Sequence, residues 1–360
     1  MKTISCMFLS SLLGVIPAAR SAETPYRLSA RLAVAGDGGW DYPSVDPATH
    51  LLYLSRANRV TIVDTATGAV VGEIPDTDGV HGIALAADLD RGYISCGKAN
   101  LVKIFDLKSR AVLASVATGE GPDAILYEPK TRRVFAFNGR GRSATVLDAR
   151  SGTVVATIPL AGKPEFAQAT GDGRVFVNIE DTAELASIDA GAAAIIGRWN
   201  LPHCQDPTGL AVDAAHHRGF STCGNAILAV TDLDTGQAVA SVPIGSGVDG
   251  GAFDPGSQNV FSANGEGTIT VVHEADPGHF QVLQTLPTQR GARTVALDTD
   301  THRLYLPTAE FRPASPATPA EPHPRPQAVP ASFVVLVVAP ADTEDPQKPR
   351  GPAGYQSVTR

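Results

Sequence analysis

A repeat of about 42 residues runs through most of this 360-residue chain and constrains its fold more than any other feature. Apolar segments end in an aspartate at intervals of 41 to 43 residues, at Asp64, Asp106, Asp148, Asp189 and Asp232, and a sixth segment ends at His273. An aromatic residue marks each of seven units, at Tyr53, Tyr93, Phe135, Phe176, Phe220, Phe261 and Tyr305. Repeats of this length are typical of solenoids and propellers.

Each unit contains four short apolar runs with turn residues between them. In the third unit the runs cover 124–127, 134–137, 144–147 and 154–158. Short runs rich in Val, Ile and aromatic residues, bounded by Gly, Pro, Asn and Asp, predict strands. Helical spacing is absent, and the gaps are too short for crossover helices. The repeat therefore predicts an all-β fold, a seven-bladed β-propeller of four-stranded antiparallel blades.

The ends of the repeat region predict how the ring closes. The seventh unit has only three apolar runs, at 294–297, 304–306 and 333–338, whereas an unassigned run covers 26–34, before the first unit. We therefore expect the N-terminal strand to complete the last blade, because such closure removes the free edges of the sheets. The predicted propeller is a single domain over 23–340.

The N-terminal segment 1–22 predicts a secretory signal peptide and therefore a periplasmic or secreted protein. It begins with Lys2, continues with an apolar run and ends in small residues. Losing Lys2 and Arg20 lowers the formal net charge of −8 by two. This acidic charge disfavours nucleic-acid binding, which needs a basic surface. No later apolar stretch reaches 18 residues, so no membrane span is predicted.

Two further segments lie outside the regular strand pattern. The stretch 310–330 carries seven prolines in 21 residues, which predicts an extended, poorly packed insertion between the second and third strands of the seventh blade. We expect this insertion to lie over the face that carries the channel mouth. Residues 341–360 are polar and proline-rich and predict a flexible C-terminal tail.

The second and third strands carry a family resemblance. Second strands read Tyr-Leu-Ser-Arg at 53–56, Tyr-Ile-Ser-Cys at 93–96, Phe-Ala-Phe-Asn at 135–138 and Phe-Ser-Ala-Asn at 261–264, and a third strand reads Val-Thr-Ile-Val-Asp at 60–64. Over about 27–338 the chain resembles the YVTN-repeat propellers, which include YncE-like proteins. The resemblance implies exported and mostly non-catalytic binding propellers, with relatives that include lactonases and cofactor-associated dehydrogenase subunits.

The starts of the seven predicted first strands form the candidate site. Because first strands line the central channel of a propeller, these positions should meet at its mouth. All seven are polar: Asp41, His81, Asp123, Glu165, Thr208, Asp249 and Arg293. Converging carboxylates suit a divalent cation or a small polar cationic ligand. The predicted metal ligands are Asp123, Glu165 and Asp249.

We expect second-strand ends to contribute further oxygens on the same face, from Asn138, Asn178 and Asn264. The alternative interpretation is a water-filled channel mouth lined by polar turn residues, because aspartate is common in turns of any function. In that case Arg293 would simply pair with Asp249 or Asp41.

Three cysteines follow the predicted signal peptide. Cys204 and Cys223 should lie within one blade, which export allows to form a disulfide. A copper or zinc site that includes His203 is the alternative. Cys96 is predicted to be a buried or partly shielded thiol.

The favoured function is an exported, non-catalytic propeller that binds a small polar or cationic ligand, or a protein partner, at the channel face. The alternative is a metal-dependent, lactonase-like hydrolase at the channel mouth. It needs three or four converging ligands and an open position for water. Redox-accessory and nucleic-acid-binding roles are less favoured. The sequence contains no Gly-x-Ser-x-Gly, phosphate-binding glycine loop or Cys-x-x-Cys-His motif.

Overall fold

The computed structural model describes residues 25–314 and 326–341. The predicted signal peptide, the centre of the proline-rich insertion and nearly all of the predicted C-terminal tail lie outside the described residues. Within them the chain forms 28 strands and two single-turn 3₁₀-helices, Ala87–Leu89 and Glu180–Thr182. In this part of the chain, no helix is long and apolar enough to cross a membrane.

The strands follow one another with short connections. The first fourteen are β1 Tyr26–Ala33, β2 Ser44–Asp46, β3 Leu51–Arg56, β4 Arg59–Asp64, β5 Val70–Ile74, β6 Val80–Ala86, β7 Arg91–Cys96, β8 Leu101–Asp106, β9 Val112–Ala117, β10 Pro122–Glu128, β11 Arg133–Asn138, β12 Ser143–Asp148, β13 Val154–Pro159 and β14 Pro164–Ala169. The second fourteen are β15 Arg174–Ile179, β16 Glu184–Asp189, β17 Ala194–Asn200, β18 Pro207–Asp213, β19 Arg218–Cys223, β20 Ile227–Asp232, β21 Ala238–Pro243, β22 Val248–Asp254, β23 Asn259–Asn264, β24 Thr268–Asp276, β25 His279–Pro287, β26 Ala296–Asp298, β27 Arg303–Thr308 and β28 Val334–Pro340.

These strands form seven antiparallel sheets of four, which we number as blades 1 to 7 in chain order. Blade 1 has the order β2-β3-β4-β5, and the next five blades repeat it. The first strands of neighbouring blades contact one another, as β6 contacts β10 and β18 contacts β22. They therefore form the innermost ring. The predicted seven-bladed propeller is confirmed.

The N-terminal strand closes the ring. Blade 7 has the order β1-β28-β27-β26, so its outermost strand comes from the opposite end of the propeller. In this pairing Leu32 lies opposite Val335. Leu32 and Val335 belong to one buried cluster with Leu52 and Leu54 of blade 1. The predicted closure is confirmed, and it joins blade 7 to blade 1 through apolar contacts as well as backbone hydrogen bonds.

The repeated aromatic residues form the core between blades. All seven second-strand aromatics are at most 1% exposed. Tyr53 of blade 1 packs on Phe105 of blade 2, with ring centroids 6.1 Å apart. Phe220 of blade 5 packs on Phe253 of blade 6 at 5.5 Å. One large aromatic per unit therefore fills each space between neighbouring sheets, which explains why this landmark recurs so regularly.

The repeated aspartates at the ends of the third strands organise the turns that follow. Asp64 Oδ1 accepts hydrogen bonds from the backbone N–H groups of Ala66 and Thr67, both at 2.9 Å. These bonds hold the pKa of Asp64 below its ordinary value, led by the bond from Thr67. Asp148 makes the equivalent bonds to the turn in its own blade. These aspartates therefore have a structural role.

Two of the three described cysteines are bonded to each other. Cys204 and Cys223 form a disulfide with an S–S distance of 2.04 Å. It ties the segment before β18 to the end of β19, and it leaves neither sulfur free for the copper or zinc site considered as the alternative. Cys96 is a buried free thiol, and burial raises its pKa to about 11. A thiol of this kind is protonated and unreactive at neutral pH.

Removing this disulfide should destabilise the protein. The bond closes a chain segment of 19 residues, and loops of about this length contribute about 3 kcal/mol by restricting the unfolded chain. We expect the paired substitutions Cys204→Ser and Cys223→Ser to lower the free energy of unfolding by about that amount in urea denaturation. Cys96→Ser serves as the matched control for loss of a buried sulfur, and equal stability of the paired variant and the wild type would contradict the prediction.

Candidate functional site

Five of the predicted site residues converge where the innermost strands begin. We define the channel mouth as Asp41, His81, Asp123, Glu165 and Asp249. Asp41 precedes β2, and the others are the second residues of β6, β10, β14 and β22. Their charges act on one another across the axis: Asp123, for example, contributes to the raised pKa values of both Glu165 and Asp249.

His81 lies between two carboxylates. Its Nδ1 is 2.6 Å from Asp41 Oδ2, a hydrogen bond, and 3.4 Å from Asp123 Oδ1. The ligand atoms of these three residues lie within 4.8 Å of one another, a spacing that could hold a metal ion. Asp123 Oδ1 is buried and accepts no hydrogen bond from the described residues.

Serine hydroxyls on the second strands hold the backbone at this point. The Asp41 N–H donates to Ser55 Oγ at 2.8 Å. The equivalent serine in blade 2, Ser95, is fully buried, and its hydroxyl donates to the carbonyl oxygen of Asp123 at 2.5 Å. The backbone around the two carboxylates is therefore tied to the second strands of blades 1 and 2.

The remaining two carboxylates each have a cationic neighbour. Glu165 Oε2 lies 3.1 Å from Lys163 Nζ, which also pairs with Glu180. Asp249 Oδ2 lies 3.0 Å from Arg293 Nε. The predicted pairing of Arg293 with Asp249 is therefore present, and Arg293 belongs to the rim of the mouth.

The predicted metal set differs from the one that the structure brings together. Asp123 is grouped with Asp41 and His81, whereas Glu165 and Asp249 lie outside this group. The physical reason is that Lys163 and Arg293 already pair with these two carboxylates.

Thr208 and the asparagines have structural partners. The hydroxyl of Thr208 is within 3.3 Å of Thr222 Oγ1. Asn138 is fully buried, and its amide donates to Ser143 and Thr145 within its own blade. Asn264 is bonded in the same way to Thr268 and Thr270, and Asn178 donates to the carbonyl oxygens of Thr208 and Gly209. These bonds engage the amide nitrogens inside and between blades, and Ser221 and Ser262 donate to the oxygens of Asn178 and Asn264. Asn138 Oδ1 is buried without a hydrogen-bond partner among the described residues, so its contribution of an oxygen to the mouth stays a prediction.

Burial raises the pKa values of three carboxyl groups in the channel mouth and so disfavours their charged forms. Burial raises the pKa of Asp123 to about 6, although His81 opposes the shift. Burial also raises the pKa of Asp249 to about 7 against the effect of Arg293. For Glu165, burial and then the charge of Asp123 raise the pKa to about 8. These shifts indicate carboxylates that would be stabilised by an added cation.

The pKa of His81 is also raised. Burial alone would lower its pKa, but the hydrogen bond to Asp41 and the charges of Asp123 and Glu165 raise it to about 8. At neutral pH the imidazole is therefore mainly protonated, and an imidazolium occupies the position between the two aspartates. A metal ion that uses His81 must displace this proton.

Tyr42 closes the bottom of the mouth and was missed in the sequence analysis. It is 7% exposed, and its ring packs on Phe166 with a centroid distance of 4.7 Å. Burial and then Asp249 hold the pKa of Tyr42 well above its ordinary value, with further contributions from the other three carboxylates of the mouth. A signal was present: the residues that follow the seven aligned positions are mostly small, and only Tyr42 and Phe166 are aromatic.

Below this aromatic pair most of the side chains that line the channel are apolar. The innermost strands enclose a cavity of about 440 Å³ whose lining includes Val45, Leu85, Val212 and Leu297. Tyr42 and Phe166 also line it and separate it from the acidic mouth. Among the described residues, no charged side chain lines this cavity.

A second cluster that could hold a metal ion lies at the other ends of the first strands. It consists of Asp213, His216 and Glu274. His216 Nδ1 is 2.5 Å from Asp213 Oδ2, and the pKa of Glu274 is raised to about 7 by burial and then by Asp213. Similar pairs recur between blades, as His302 with Asp254 and His50 with Asp298. This recurrence indicates a structural role for the cluster.

Comparison with known proteins identifies the fold. No family model and no curated protein matches the chain. Among solved structures, it is similar to the WD40 repeats of RRP9, with a TM-score of 0.72 and 10% identity over 88% of this chain and 98% of that one. The structure of U3-55K matches with a TM-score of 0.71 and 10% identity, again over 88% of this chain and 98% of the other. It is also similar to a chain of hydrazine synthase from Kuenenia stuttgartiensis, with a TM-score of 0.67 and 15% identity. That match covers 76% of this chain and 94% of the other. At these identities the similarity shows the propeller fold alone.

Proposed function

We propose that this protein is an exported, non-catalytic binding propeller of the YVTN-repeat type that holds a small cationic ligand at the channel mouth. One observation carries the proposal: buried carboxylates converge there, and their pKa values are raised first by burial and further by one another's charges. A bound cation would stabilise the charged forms of these carboxylates. The simplest such ligand is a divalent cation held by Asp41, His81 and Asp123.

Export is supported by two features. The first is the signal-like sequence at 1–22, and the second is the Cys204–Cys223 disulfide. Disulfides persist mainly in oxidising compartments outside the cytosol. Sequencing the N-terminus of the protein recovered from its native host tests this part of the proposal, since an exported chain should begin near residue 23.

Cation binding should depend on pH and on Asp123. Because a metal ion must displace protons from His81, whose pKa is about 8, and from Asp123, whose pKa is about 6, affinity for Mn²⁺ or Zn²⁺ should rise from pH 6 to pH 8.5. In isothermal titration calorimetry, Asp123→Asn should weaken binding at least tenfold. Asp78→Asn changes an exposed carboxylate and is the control.

One organic cation completes this experiment. Ethylammonium is titrated in parallel as an organic cation. Binding of ethylammonium alone would retain the cationic-ligand proposal and exclude the metal version. Absence of binding by every cation over this pH range, or equal affinities in wild type and Asp123→Asn, would contradict the proposal.

A metal-dependent hydrolase is the second candidate. The observation in its favour is that Asp41, His81 and Asp123 bring three donor groups together, which leaves a metal ion with open positions for water. Mn²⁺-loaded protein is assayed with γ- and δ-lactones and aryl esters. Turnover that Asp123→Asn abolishes while the fold is retained would replace the binding proposal with this one.

A further inference from the structure

A large cavity beside the channel mouth carries positive charge and aromatic surface. It measures about 970 Å³ and lies against residues from blades 1, 6 and 7 and from the described arms of the proline-rich insertion. We call it the arginine pocket and define it by three arginines and three aromatic residues that line it: Arg56, Arg290, Arg293, Trp40, Phe311 and Phe333. Its volume is typical of small-molecule sites.

Arg56 is the unusual residue of this pocket. It is fully buried at the end of β3, and its Nε and Nη1 have no hydrogen-bond partner among the described residues. Nη2 donates to the carbonyl oxygen of Gly36. No carboxylate in the described part of the chain forms a salt bridge with Arg56, although the charges of Asp37, which lines the pocket, and Glu73 act on it. Burial lowers its pKa to about 10, so the guanidinium still carries its charge at neutral pH.

The fold itself does not require an arginine at this position. The equivalent second-strand ends in the other blades are also fully buried, and none of them is charged: Cys96, Asn138, Ile179, Cys223, Asn264 and Thr308. Burying a charge without a partner is destabilising. An arginine in blade 1 alone therefore points to a ligand that supplies the missing anion.

The surroundings indicate the rest of that ligand. The Arg56 guanidinium lies 3.6 Å from the centroid of the Phe333 ring, and Trp40 packs on Phe333 at 5.1 Å. Phe311 lies 6.0 Å from Trp40. Arg290 is exposed, and its side chain has no hydrogen bond or ion pair with the described residues. The pocket therefore combines an aromatic wall with a buried cation and a second, unpaired cation.

The insertion contributes one wall of the pocket. Its two described arms pair with each other through Phe311 and Ala328, and the Arg312 N–H donates to the carbonyl oxygen of Gln327 at 2.8 Å. The Ala331 N–H donates to Asp37 Oδ1 at 3.0 Å, which fixes the second arm against the segment before β2. The second arm is thus anchored to the segment before β2, and the first arm to the second.

We propose that the arginine pocket binds a small organic anion whose oxyanion contacts Arg56 and Arg290 and whose planar apolar body packs against Trp40, Phe311 and Phe333. A guanidinium presents several N–H donors in one plane and suits carboxylate and phosphate groups. Carboxylate and phosphate ligands of this kind share an oxyanion attached to an aromatic ring. This site does not depend on cation binding at the channel mouth, so either proposal can fail alone.

Three probes with the same phenyl group test the proposal: benzoate, phenyl phosphate and benzylamine. Isothermal titration calorimetry with the full chain should show binding of at least one anion and none of the amine. The anion that binds more tightly shows whether the pocket prefers a carboxylate or a phosphate. In a Trp199→Phe background Trp40 is the one remaining tryptophan, and its emission should change on binding, which locates the ligand.

Two substitutions separate binding from folding. Arg56→Met should weaken anion binding at least tenfold while leaving the unliganded protein as stable as the wild type or more stable, because an unpaired buried charge is removed. Arg290→Met changes an exposed side chain and should weaken binding severalfold without affecting stability. Arg142→Met, an exposed arginine paired with Asp181, is the control. The proposal is overturned if neither anion binds, if benzylamine binds as well as the anions, or if both pocket variants retain wild-type affinity.

Discussion

Replacing Leu32 with aspartate is expected to unfold the propeller or to lower its free energy of unfolding by at least about 4 kcal/mol. Leu32 is 6% exposed in β1, and it packs in the cluster that joins blade 7 to blade 1. The substitution places a carboxylate without a partner in an apolar space, which is among the most destabilising single changes. It acts at the one junction where the ring is closed by strands from its two ends.

Urea denaturation followed by far-ultraviolet circular dichroism measures this effect. Ala33→Asp is the matched control, because the same charge is introduced one residue later on the exposed side of β1. We expect it to change stability by less than about 1 kcal/mol. Equal stabilities of the two variants would mean that closure by β1 contributes little to the fold.

Raising the pH from 5 to 9 is expected to destabilise the protein by a few kcal/mol. Glu165, Asp249, Asp123 and His81 all have raised pKa values, so the folded state binds more protons than the unfolded state in this range. For such groups the stabilisation is complete below the ordinary pKa and is lost as the pH rises through the folded-state value. For Glu165 the loss should extend from about pH 4.5 to about pH 8.

Glu165→Gln tests this origin directly. The amide has nearly the same shape but does not ionise, so the variant should match the wild type at pH 5 and be more stable than the wild type at pH 9. A pKa unit corresponds to about 1.4 kcal/mol, and we expect a gain of a few kcal/mol. Glu120→Gln, at an exposed glutamate, should leave the pH profile unchanged. Parallel profiles for Glu165→Gln and the wild type would refute the assignment.

The fold was predictable because its signals are local and are repeated seven times. Strand length and turn residues identify each strand, and the recurring aromatic residues set the number of blades. Ring closure required only counting, since blade 7 lacked one strand and 26–34 supplied it. The first two inferences depend on neighbouring residues in the sequence, and the third follows from the blade count alone.

The site was predictable only in part. Alignment of the units placed Asp41, His81 and Asp123 at one end of the axis, as the structure shows. The contact between Tyr42 and Phe166 joins blades 1 and 4 across the axis, so it depends on ring geometry that no single unit contains. The hydrogen bonds of the asparagines could not be predicted, because strand alternation gives the height of a residue in a blade but not its partners. The arginine pocket was missed because Arg56 was interpreted only as the end of a repeated strand.

The pairing of β1 with β28 also has a consequence for the time course of folding. A ribosome adds about 5–20 residues per second, so the first strand of the ring emerges well before the strand it pairs with. Six blades can form while synthesis continues, since their strands are close in sequence, but the seventh cannot. Contacts of such long range are slow to form. Closure of the ring therefore has to wait until β28 is available, and until then the apolar faces through which blades 1 and 7 pack together have no partner.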